Sequence, residues 1–428
     1  MLRFVLLSHL ACIVWSSTAA GYLYDSNLAL QDIESDAIDN GRYDQEVDLY
    51  GQEEIDRNAQ KIQERVTRNR YPFEAHSVQT QDGYILGLHR IPYSPNNVPA
   101  PGKPVIFLQH GLLCSSNDWI LAGPAKGLAY ILADLGYDVW MGNSRGNSFS
   151  KNHAWLHPKS KSFWDFSWHQ IGYYDLPAMI DYVLNNTSQA SLNYVGHSQG
   201  AGSVFVMTSL RPEYNQKIRS MHALAPAAFM GNVQNPFLRA LSPILSKVSF
   251  LNKVLGSFEF LPSTATKKLA GSLLCKIESS FQPVCANILF LIAGYNHDNL
   301  NRTIFPDILQ VTPAGASVNQ IVHYAQGVSS GKFRQYDYGV VKNMLVYKSL
   351  RPPDYLLGKV TAPMHLYYSN NDWLVAVKDI QILASKLQNV VYSKMVPDMT
   401  FNHLDFLWGL NVQEMVYDDL VENIRKYT

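Results

Sequence analysis

The pentapeptide Gly-His-Ser-Gln-Gly at 196–200 constrains this chain more than any other feature. The apolar stretch 192–195 before it is typical of a short buried strand, and the small residues after it favour a helix. Glycines on both sides of the serine let neighbouring backbone approach too closely for a Cβ atom. We therefore expect Ser198 to lie in a strained strand-to-helix turn with its hydroxyl group exposed. A plain glycine-rich loop is the alternative interpretation.

Strand-like and helix-like segments alternate on both sides of this turn. A hairpin over 73–92, with Asp82-Gly83 at its turn, precedes the first of them. This alternation is typical of a mostly parallel sheet that helices cover on both faces. The predicted strands are 105–108, 137–141, 192–195, 221–224, 364–368 and 390–396, and helices are predicted over 123–135, 176–183, from 200 to about 210, and 412–427.

The alternation stops between about residues 226 and 349, where the pattern is apolar and mainly helical. An insertion of this length between two strands of one sheet is most simply a cap domain. We predict a core in two parts, 57–225 and 350–428, with a helical cap over 226–349. Within the cap, 235–263 places apolar residues among basic ones, and we interpret it as a mobile lid. Ordinary packing of a cap helix is the alternative.

A serine nucleophile needs a histidine base, and the base needs an orienting carboxylate. With a strand-to-helix serine, the expected chain order is serine, acid, histidine, each in a loop after a strand. Asp372 follows the strand at 364–368, and His403 follows the strand at 390–396. We therefore predict a triad of Ser198, Asp372 and His403. The candidates we consider less well placed are His365, Asp354, Asp379, Asp398 and Asp405.

An oxyanion hole requires two backbone amides directed at the developing negative charge. Gln199, the residue after the nucleophile, supplies one amide. The second is expected from the loop 110–113, and we favour Leu112, with Gly111 giving the backbone room to turn. We expect His110 to be structural. The chemistry requires no cofactor or metal ion, and no cluster of ligands in the sequence suggests one.

Four segments of the chain together resemble the acid lipases, which include gastric and lysosomal acid lipases and insect relatives. The resemblance covers about residues 57–425. It implies an α/β-hydrolase fold with a helical cap and lid, the same triad and oxyanion residues, and hydrolysis of carboxylic esters of lipids such as triacylglycerols or steryl esters. The segments are Phe107-Leu-Gln-His-Gly-Leu-Leu113, Gly136-Tyr-Asp-Val-Trp-Met-Gly-Asn-Ser-Arg-Gly-Asn147, Gly196–Gly200 and Asn402-His-Leu-Asp-Phe406.

Two other functions remain open at this point. The apolar cap favours long acyl chains, but it is also compatible with an esterase of smaller soluble esters. A hydrolase-fold carrier that binds lipids without cleaving them is disfavoured by the complete triad.

The cysteines fit the resemblance to acid lipases. Cys275 and Cys285 fall where that family has a disulfide bond in its cap. They are also close enough in sequence to close a short loop in an oxidising compartment. Cys114 is then left unpaired.

The amino terminus has the pattern of a secretory signal peptide, residues 1–20. Arg3 precedes the apolar run 4–15, and small residues follow up to Ala20. A membrane anchor is the alternative, but the run is shorter than the roughly 20 apolar residues that span a bilayer. Glycosylation sequons begin at Asn185, Asn186 and Asn301. We predict a protein of the secretory pathway, secreted or lysosomal, without a transmembrane segment.

The charge distribution separates an acidic leader from a basic body. The 428-residue chain has a net charge of zero, which disfavours nucleic acid as a partner. Its 47% hydrophobic and 16% charged residues exclude a disordered chain. Residues 21–56 hold eleven acids and one base, a charge of −10, and Arg3 adds +1, so 57–428 carries +9. We interpret 21–56 as a flexible arm or a removable propeptide. The basic body favours a lipid surface that carries anionic groups.

Overall fold

The computed structural model describes residues 43–97, 99–246, 258–261, 292–296, 298–299 and 301–428. The predicted signal peptide, the arm before residue 43, the Cys275/Cys285 pair and residues 247–257 and 262–263 of the predicted lid lie outside these residues. The chain divides into two compact units, Met1–Tyr50 and Gly51–Thr428, and the sheet and the candidate site belong to the second.

A nine-stranded sheet forms the centre of the second unit. Its strands are β1 (Glu74–Gln79), β2 (Tyr84–Ile91), β3 (Val105–Gln109), β4 (Asp138–Gly142), β5 (Asn152–His153), β6 (Leu192–His197), β7 (Ile218–Leu224), β10 (Met364–Tyr368) and β11 (Val390–Met395). A separate two-stranded sheet pairs β8 (Glu259–Phe260) with β9 (Ala316–Ser317).

The strand order is β1-β2-β4-β3-β6-β7-β10-β11, with β5 beside β2. β1, β2 and β5 are antiparallel to their neighbours, and the six strands from β4 to β11 run parallel. The central strands β3, β4 and β6 are buried along their whole length, whereas the edge strands β1 and β11 alternate in exposure. Continuous apolar runs are what strands covered on both faces require.

Helices cover the sheet on both sides. The helices are α1 (Tyr43–Arg68), α2 (Leu128–Asp134), α3 (Leu176–Thr187), α4 (Gln199–Leu210), α5 (Pro236–Leu245), α6 (Phe305–Val311), α7 (Val318–Ser330), α8 (Val340–Tyr347), α9 (Val377–Lys386), α10 (Asp405–Trp408) and α11 (Asp418–Arg425). Short 3-10 turns cover Ser116–Trp119, Ser162–Trp164, Pro212–Lys217 and Leu357–Lys359. A short helical turn Trp168–Gln170 and a π-helical turn Ile171–Asp175 lead into α3, and a second π-helical turn, Gln413–Tyr417, leads into α11.

The alternation of side chains along β3 builds two cores. Phe107 points to the face that α3 and α4 cover, while Ile106 and Leu108 point to the face covered by α1, α2 and α11. The predicted α/β-hydrolase architecture, with its mostly parallel central sheet, is confirmed.

Helix α1 differs from the prediction that residues 21–56 lack regular structure. The helix begins at Tyr43 and includes the last fourteen residues of that segment. Two side chains near its end, Ile62 and Val66, are buried in the core on the α2 face of the sheet. A packing contact with the body stabilises a helix whose sequence shows little apolar periodicity.

The chain between β7 and β10 contains α5, α6, α7, α8 and the small sheet. Val318 and Val322 of α7 pack with Tyr336 in a separate small core. Among the helices that the structure describes, none combines the length and apolar character needed to cross a membrane.

Candidate active site

Ser198 lies between β6 and α4 in a strained backbone conformation, with φ +52° and ψ −115°. The strain is held by close packing and by the Ser198 N–H, which donates to the Leu224 carbonyl at 2.9 Å. A Cβ atom on Gly200 would lie 2.3 Å from the Gln109 carbonyl oxygen, and one on Gly196 would lie 2.7 Å from the Ala201 nitrogen. Larger residues do not fit either position, which explains the two glycines.

The acid and the histidine of the predicted triad are hydrogen bonded to each other. His403 Nδ1 lies 2.7 Å from Asp372 Oδ2, and both side chains are buried. The other oxygen, Asp372 Oδ1, accepts the backbone N–H groups of Leu374 and Val375 at 2.8 Å each. These bonds fix the carboxylate, and a proton held on His403 Nδ1 leaves Nε2 as the acceptor of the imidazole ring.

His197, the second residue of the pentapeptide, contacts the catalytic histidine candidate directly. Its Nε2–H donates to the His403 carbonyl at 3.0 Å, and the two ring centroids are 4.8 Å apart. Burial, with the neighbouring His403, lowers the pKa of His197 well below its usual range. A neutral imidazole therefore links the nucleophile turn to the histidine loop. The motif itself, in which this position is variable, gave no sign of that contact.

The predicted oxyanion loop adjoins the nucleophile. A Cβ atom on Gly111 would lie 3.2 Å from Ser198 Cβ. Leu112 is half-buried, and Leu113 has a φ of +62°. Gln199 is the first residue of α4, a position whose amide has no partner within the helix. The structure thus brings the backbone around Leu112 and Gln199 to the same serine.

His110 is held in the interior by three contacts. Its Nε2 accepts from the Ser144 N–H and from Asn147 Nδ2, at 3.1 Å each, so Nδ1 carries the proton and donates to the Gly111 carbonyl at 2.7 Å. Burial lowers the pKa of His110 to about 4. This side chain supports the turn before Leu112, as expected of a structural histidine.

The segment 292–296 joins the two triad loops. The sequence did not predict this connection. The Ala293 carbonyl accepts from the Trp373 N–H at 3.2 Å and from the His403 N–H at 3.4 Å. Asn402 Nδ2 donates to the Gly294 carbonyl at 2.9 Å. Both residues act through backbone carbonyl groups, so the identity of Ala293 carries little signal. Gly294 is constrained, since its φ is +112° and a Cβ atom there would overlap the Asn371 carbonyl oxygen.

Asp405, a rival for the role of the acid, has different partners. Its Oδ2 accepts the Asn402 N–H and Asn296 Nδ2, at 2.8 Å each. Burial raises its pKa to about 6. Asp405 therefore fixes the loop that carries His403.

The remaining site candidates are spread over the molecule. Cys114 is a free, buried cysteine, and burial raises the pKa of its thiol. Asn185 and Asn186 are exposed at the end of α3, whereas Asn301 is only 9% exposed and its side-chain oxygen accepts from Thr303. Since a glycan needs an accessible amide nitrogen, the surface favours Asn185 and Asn186 over Asn301.

Family models and solved structures match the fold of this chain. Residues 62–123 match the family model described as a partial alpha/beta-hydrolase lipase region, and residues 104–410 match the alpha/beta hydrolase fold. Among solved structures, a protein from Sulfolobus solfataricus shares the fold with a TM-score of 0.56 and 13% identity, over 83% of this chain and 94% of the other. A monoglyceride lipase from Saccharomyces cerevisiae has a TM-score of 0.50 and 14% identity, over 82% and 94%.

Sequence relatives are much closer than these structures. Lipase 3 of Drosophila melanogaster is 48% identical over 364 residues, which cover 85% of this chain and 92% of the relative. Gastric triacylglycerol lipase of Rattus norvegicus is 39% identical over 367 residues, covering 84% and 90%. With identity at this level over most of both sequences, the chain belongs to the acid lipase family of α/β-hydrolases.

Proposed function

We propose that Ser198, His403 and Asp372 form the catalytic triad of this lipase. The protein is a carboxylic ester hydrolase of the lipase type, as its named relatives are. The observation that carries the assignment of residues is the 2.7 Å bond between His403 Nδ1 and Asp372 Oδ2, in loops that follow β11 and β10, together with the strained Ser198 after β6.

In the first step His403 Nε2 takes the proton of the Ser198 hydroxyl while the oxygen attacks the ester carbonyl carbon. The carbonyl oxygen becomes an oxyanion, which the Leu112 and Gln199 amides stabilise. The C–O bond to the alcohol then breaks, and the imidazolium returns its proton to the leaving alkoxide. The products of this step are the free alcohol and an acyl ester on Ser198.

In the second step His403 takes a proton from a water molecule, whose oxygen attacks the acyl carbon. Collapse of the second oxyanion breaks the bond to the Ser198 oxygen, which recovers the proton from His403. The fatty acid leaves, and the enzyme is regenerated. Asp372 keeps the ring in one orientation and stabilises its charged form through both steps.

The substrate class we infer is an ester with long acyl chains, presented at a lipid–water interface. The apolar side chains of Phe237, Leu241 and Ile244 are spaced for one face of α5, and all three are exposed. An exposed apolar face at the start of the predicted lid suits contact with lipid. The gastric relatives are named for triacylglycerol, which we therefore place ahead of steryl esters and of small soluble esters.

We also propose that this lipase travels the secretory pathway, to a lysosomal or extracellular destination. The signal-peptide pattern at residues 1–20 and the exposed sequons at Asn185 and Asn186 support this route. An oxidising compartment would allow the bond between Cys275 and Cys285 that the family resemblance implies. The intact mass of the secreted protein, measured before and after reduction and before and after deglycosylation, tests the disulfide and the glycans. The amino-terminal sequence of the same protein tests the removal of the acidic arm.

Replacement of the nucleophile tests the assignment. Ser198→Ala is expected to lower the turnover of a short soluble ester, of triacylglycerol and of cholesteryl ester by at least about 10⁴-fold. It should also abolish labelling by a fluorophosphonate. Ser203→Ala, at a buried serine of the helix that follows Ser198, is the matched control and should keep both properties. Full turnover by Ser198→Ala would exclude this serine as the nucleophile, and the three substrates rank the ester classes in the wild-type enzyme.

A further inference from the structure

Helix α8 is packed with its polarity inverted. Its one buried residue is Asn343, while the surrounding valine, methionine and leucine side chains are exposed. Surface helices of globular proteins normally bury the apolar stripe and expose the polar residues. The exposed apolar residues of this helix are Val340, Val341, Met344, Leu345 and Val346, with exposed fractions between 47% and 78%.

Polar contacts hold α8 in this orientation. Asn343 Oδ1 accepts the Tyr338 N–H at 3.0 Å, and its Nδ2 donates to Asp337 Oδ1 at 2.8 Å and to the Leu350 carbonyl at 3.1 Å. The Tyr347 hydroxyl donates to the Tyr336 carbonyl at 2.9 Å. These bonds fix the helix by its polar side, so the apolar side is presented outward as a defined surface.

The charges on this surface are basic, and one exposed acid, Asp354, lies just beyond it. From 338 to 353 the sequence has three basic residues, Lys342, Lys348 and Arg351, and no acidic residue. All three are exposed, and Asp337 just before the segment is engaged by Asn343 and by the Gly339 N–H. The apolar surface continues past the helix through the exposed Leu350.

This combination favours a lipid surface over a second copy of the chain. In a symmetric dimer the three basic residues of each chain would face their own copies, and the exposed Asp354 beside the surface would offer only one carboxylate per chain to pair with them. Apolar side chains flanked by basic ones are what a helix lying in an interface that carries carboxylate or phosphate groups requires. Hydrolysis of lipid esters releases fatty acid, which supplies such carboxylates at the interface itself.

We propose that α8 and the turn to Arg351, which we call the α8 surface, dock this lipase onto a lipid–water interface bearing fatty-acid carboxylates. The side chains of Val341 and Leu345 enter the apolar layer, and Lys342, Lys348 and Arg351 contact the anionic groups. This inference rests on the proposed function, since it concerns how the enzyme reaches aggregated substrate. Helix α8 is distinct from the predicted lid in sequence and holds no residue of the predicted triad, although Gln326 joins the two regions by donating to the Ser246 and Asp337 carbonyl groups.

The test compares binding and catalysis for the same variants. Val341→Ser with Leu345→Ser should lower partition onto phosphatidylcholine vesicles containing oleic acid by at least about tenfold, measured by flotation. Turnover of triacylglycerol emulsion should fall with it, while turnover of a monomeric short ester stays within about twofold of the wild type. Val391→Ser with Met395→Ser, two exposed apolar residues on β11, is the matched control and should change neither quantity.

The basic residues are tested with two kinds of phosphatidylcholine vesicle, one with oleic acid and one without it. Lys342→Ala with Lys348→Ala should weaken binding to the oleate vesicles several-fold and leave binding to pure phosphatidylcholine vesicles unchanged. If the variant with Val341→Ser and Leu345→Ser bound the oleate vesicles as strongly as the wild type does, the proposal would be overturned. The proposal would also be overturned, in favour of self-association, if sedimentation showed that the wild type is a dimer and that this variant is a monomer. Turnover of the monomeric ester reports on the triad independently, so failure of the α8 surface and failure of the proposed catalytic residues are distinguishable.

Discussion

Helices α4 and α8 are both rich in apolar residues, yet their environments are opposite. In α4 every residue from Gln199 to Ser209 is buried, including Ser203 and Thr208. In α8 the single buried residue is an asparagine. The first helix lies between the sheet and the turns that precede α3, and the second forms the outer surface of the inserted segment.

The difference shows that hydropathy sets what a helix can bury, whereas its position decides what it does bury. Small residues let α4 pack directly behind the nucleophile, where a Cβ on Gly202 would lie 2.4 Å from the Ala227 carbonyl oxygen. Helix α8 has no such partner among the residues the structure describes, and polar bonds hold it instead. The same side chains stabilise the fold in one place and remain available for a partner in the other.

The largest expected contrast comes from one exchange made in both helices. Val204 is fully buried in α4, and Val341 is 78% exposed in α8. Val204→Ser should lower the free energy of unfolding by about 3 kcal/mol, because it leaves a cavity and buries a hydroxyl group. Val341→Ser should change it by less than about 0.5 kcal/mol. Urea unfolding of both variants measures this, and equal losses would show that α8 is packed like a core helix.

Two Gly→Ala substitutions should change the free energy of unfolding in opposite directions. Gly200→Ala forces a methyl group to 2.3 Å from the Gln109 carbonyl, whereas the nearest atom to a Cβ on Gly327 of α7 is 3.9 Å away. Gly200→Ala should cost about 2 kcal/mol and lower turnover, since the oxyanion loop must shift. Gly327→Ala should stabilise by about 0.5 kcal/mol, because alanine restricts the unfolded chain. Thermal unfolding gives the two signs, and a stabilising Gly200→Ala would contradict the packing described here.

Buried histidines should make the sheet, in contrast to α8, sensitive to acid. Burial lowers the pKa of His365 on β10 to about 4, below the value near 6.5 of an unfolded chain. Between these values the unfolded state binds more protons, so stability falls as the pH falls from 6.5 towards 4. His365→Gln should reduce the loss of unfolding free energy between pH 7 and pH 5 by about 1 to 2 kcal/mol. Urea unfolding at the two pH values compares the slopes, and identical slopes would assign the acid sensitivity to other groups.

The smallest effect concerns the anchor of α8. Asn343→Ala removes three hydrogen bonds and should cost about 1 kcal/mol, more than Val341→Ser in the same helix. Limited proteolysis should then cut near α8 sooner than in the wild type. If Val341→Ser proved the more destabilising of the two, the apolar face rather than the polar one would be the anchor.

Sequence patterns predicted most of the sheet and the arrangement of its loops. Short apolar runs correspond to buried parallel strands in the structure. The expected order of serine, acid and histidine selected Asp372 and His403, which lie within hydrogen-bonding distance of each other. Boundaries were less certain. Helix α2 begins at Leu128 rather than near residue 123, since Gly123 adopts a φ of +75° in a turn. Helix α1 was missed because, within its residues 52–68, whose burial the structure describes, only Ile62 and Val66 are buried.

Contacts between distant segments could not be predicted in this way. The bonds of Ala293 to both triad loops, and of His197 to the His403 carbonyl, join residues at least 80 positions apart. All of these contacts use a backbone carbonyl group as the acceptor, and every residue has one. No local pattern encodes them.

The sequence by itself determined the strained serine turn, the parallel strands and the identity of the candidate triad, because glycine sterics and apolar periodicity act over a few residues. The tertiary structure alone decided which apolar helix is buried and which is exposed. It also decided how the inserted segment supports the histidine loop. Burial is a property of what surrounds a residue, so α4 and α8 differ in function although their compositions resemble each other.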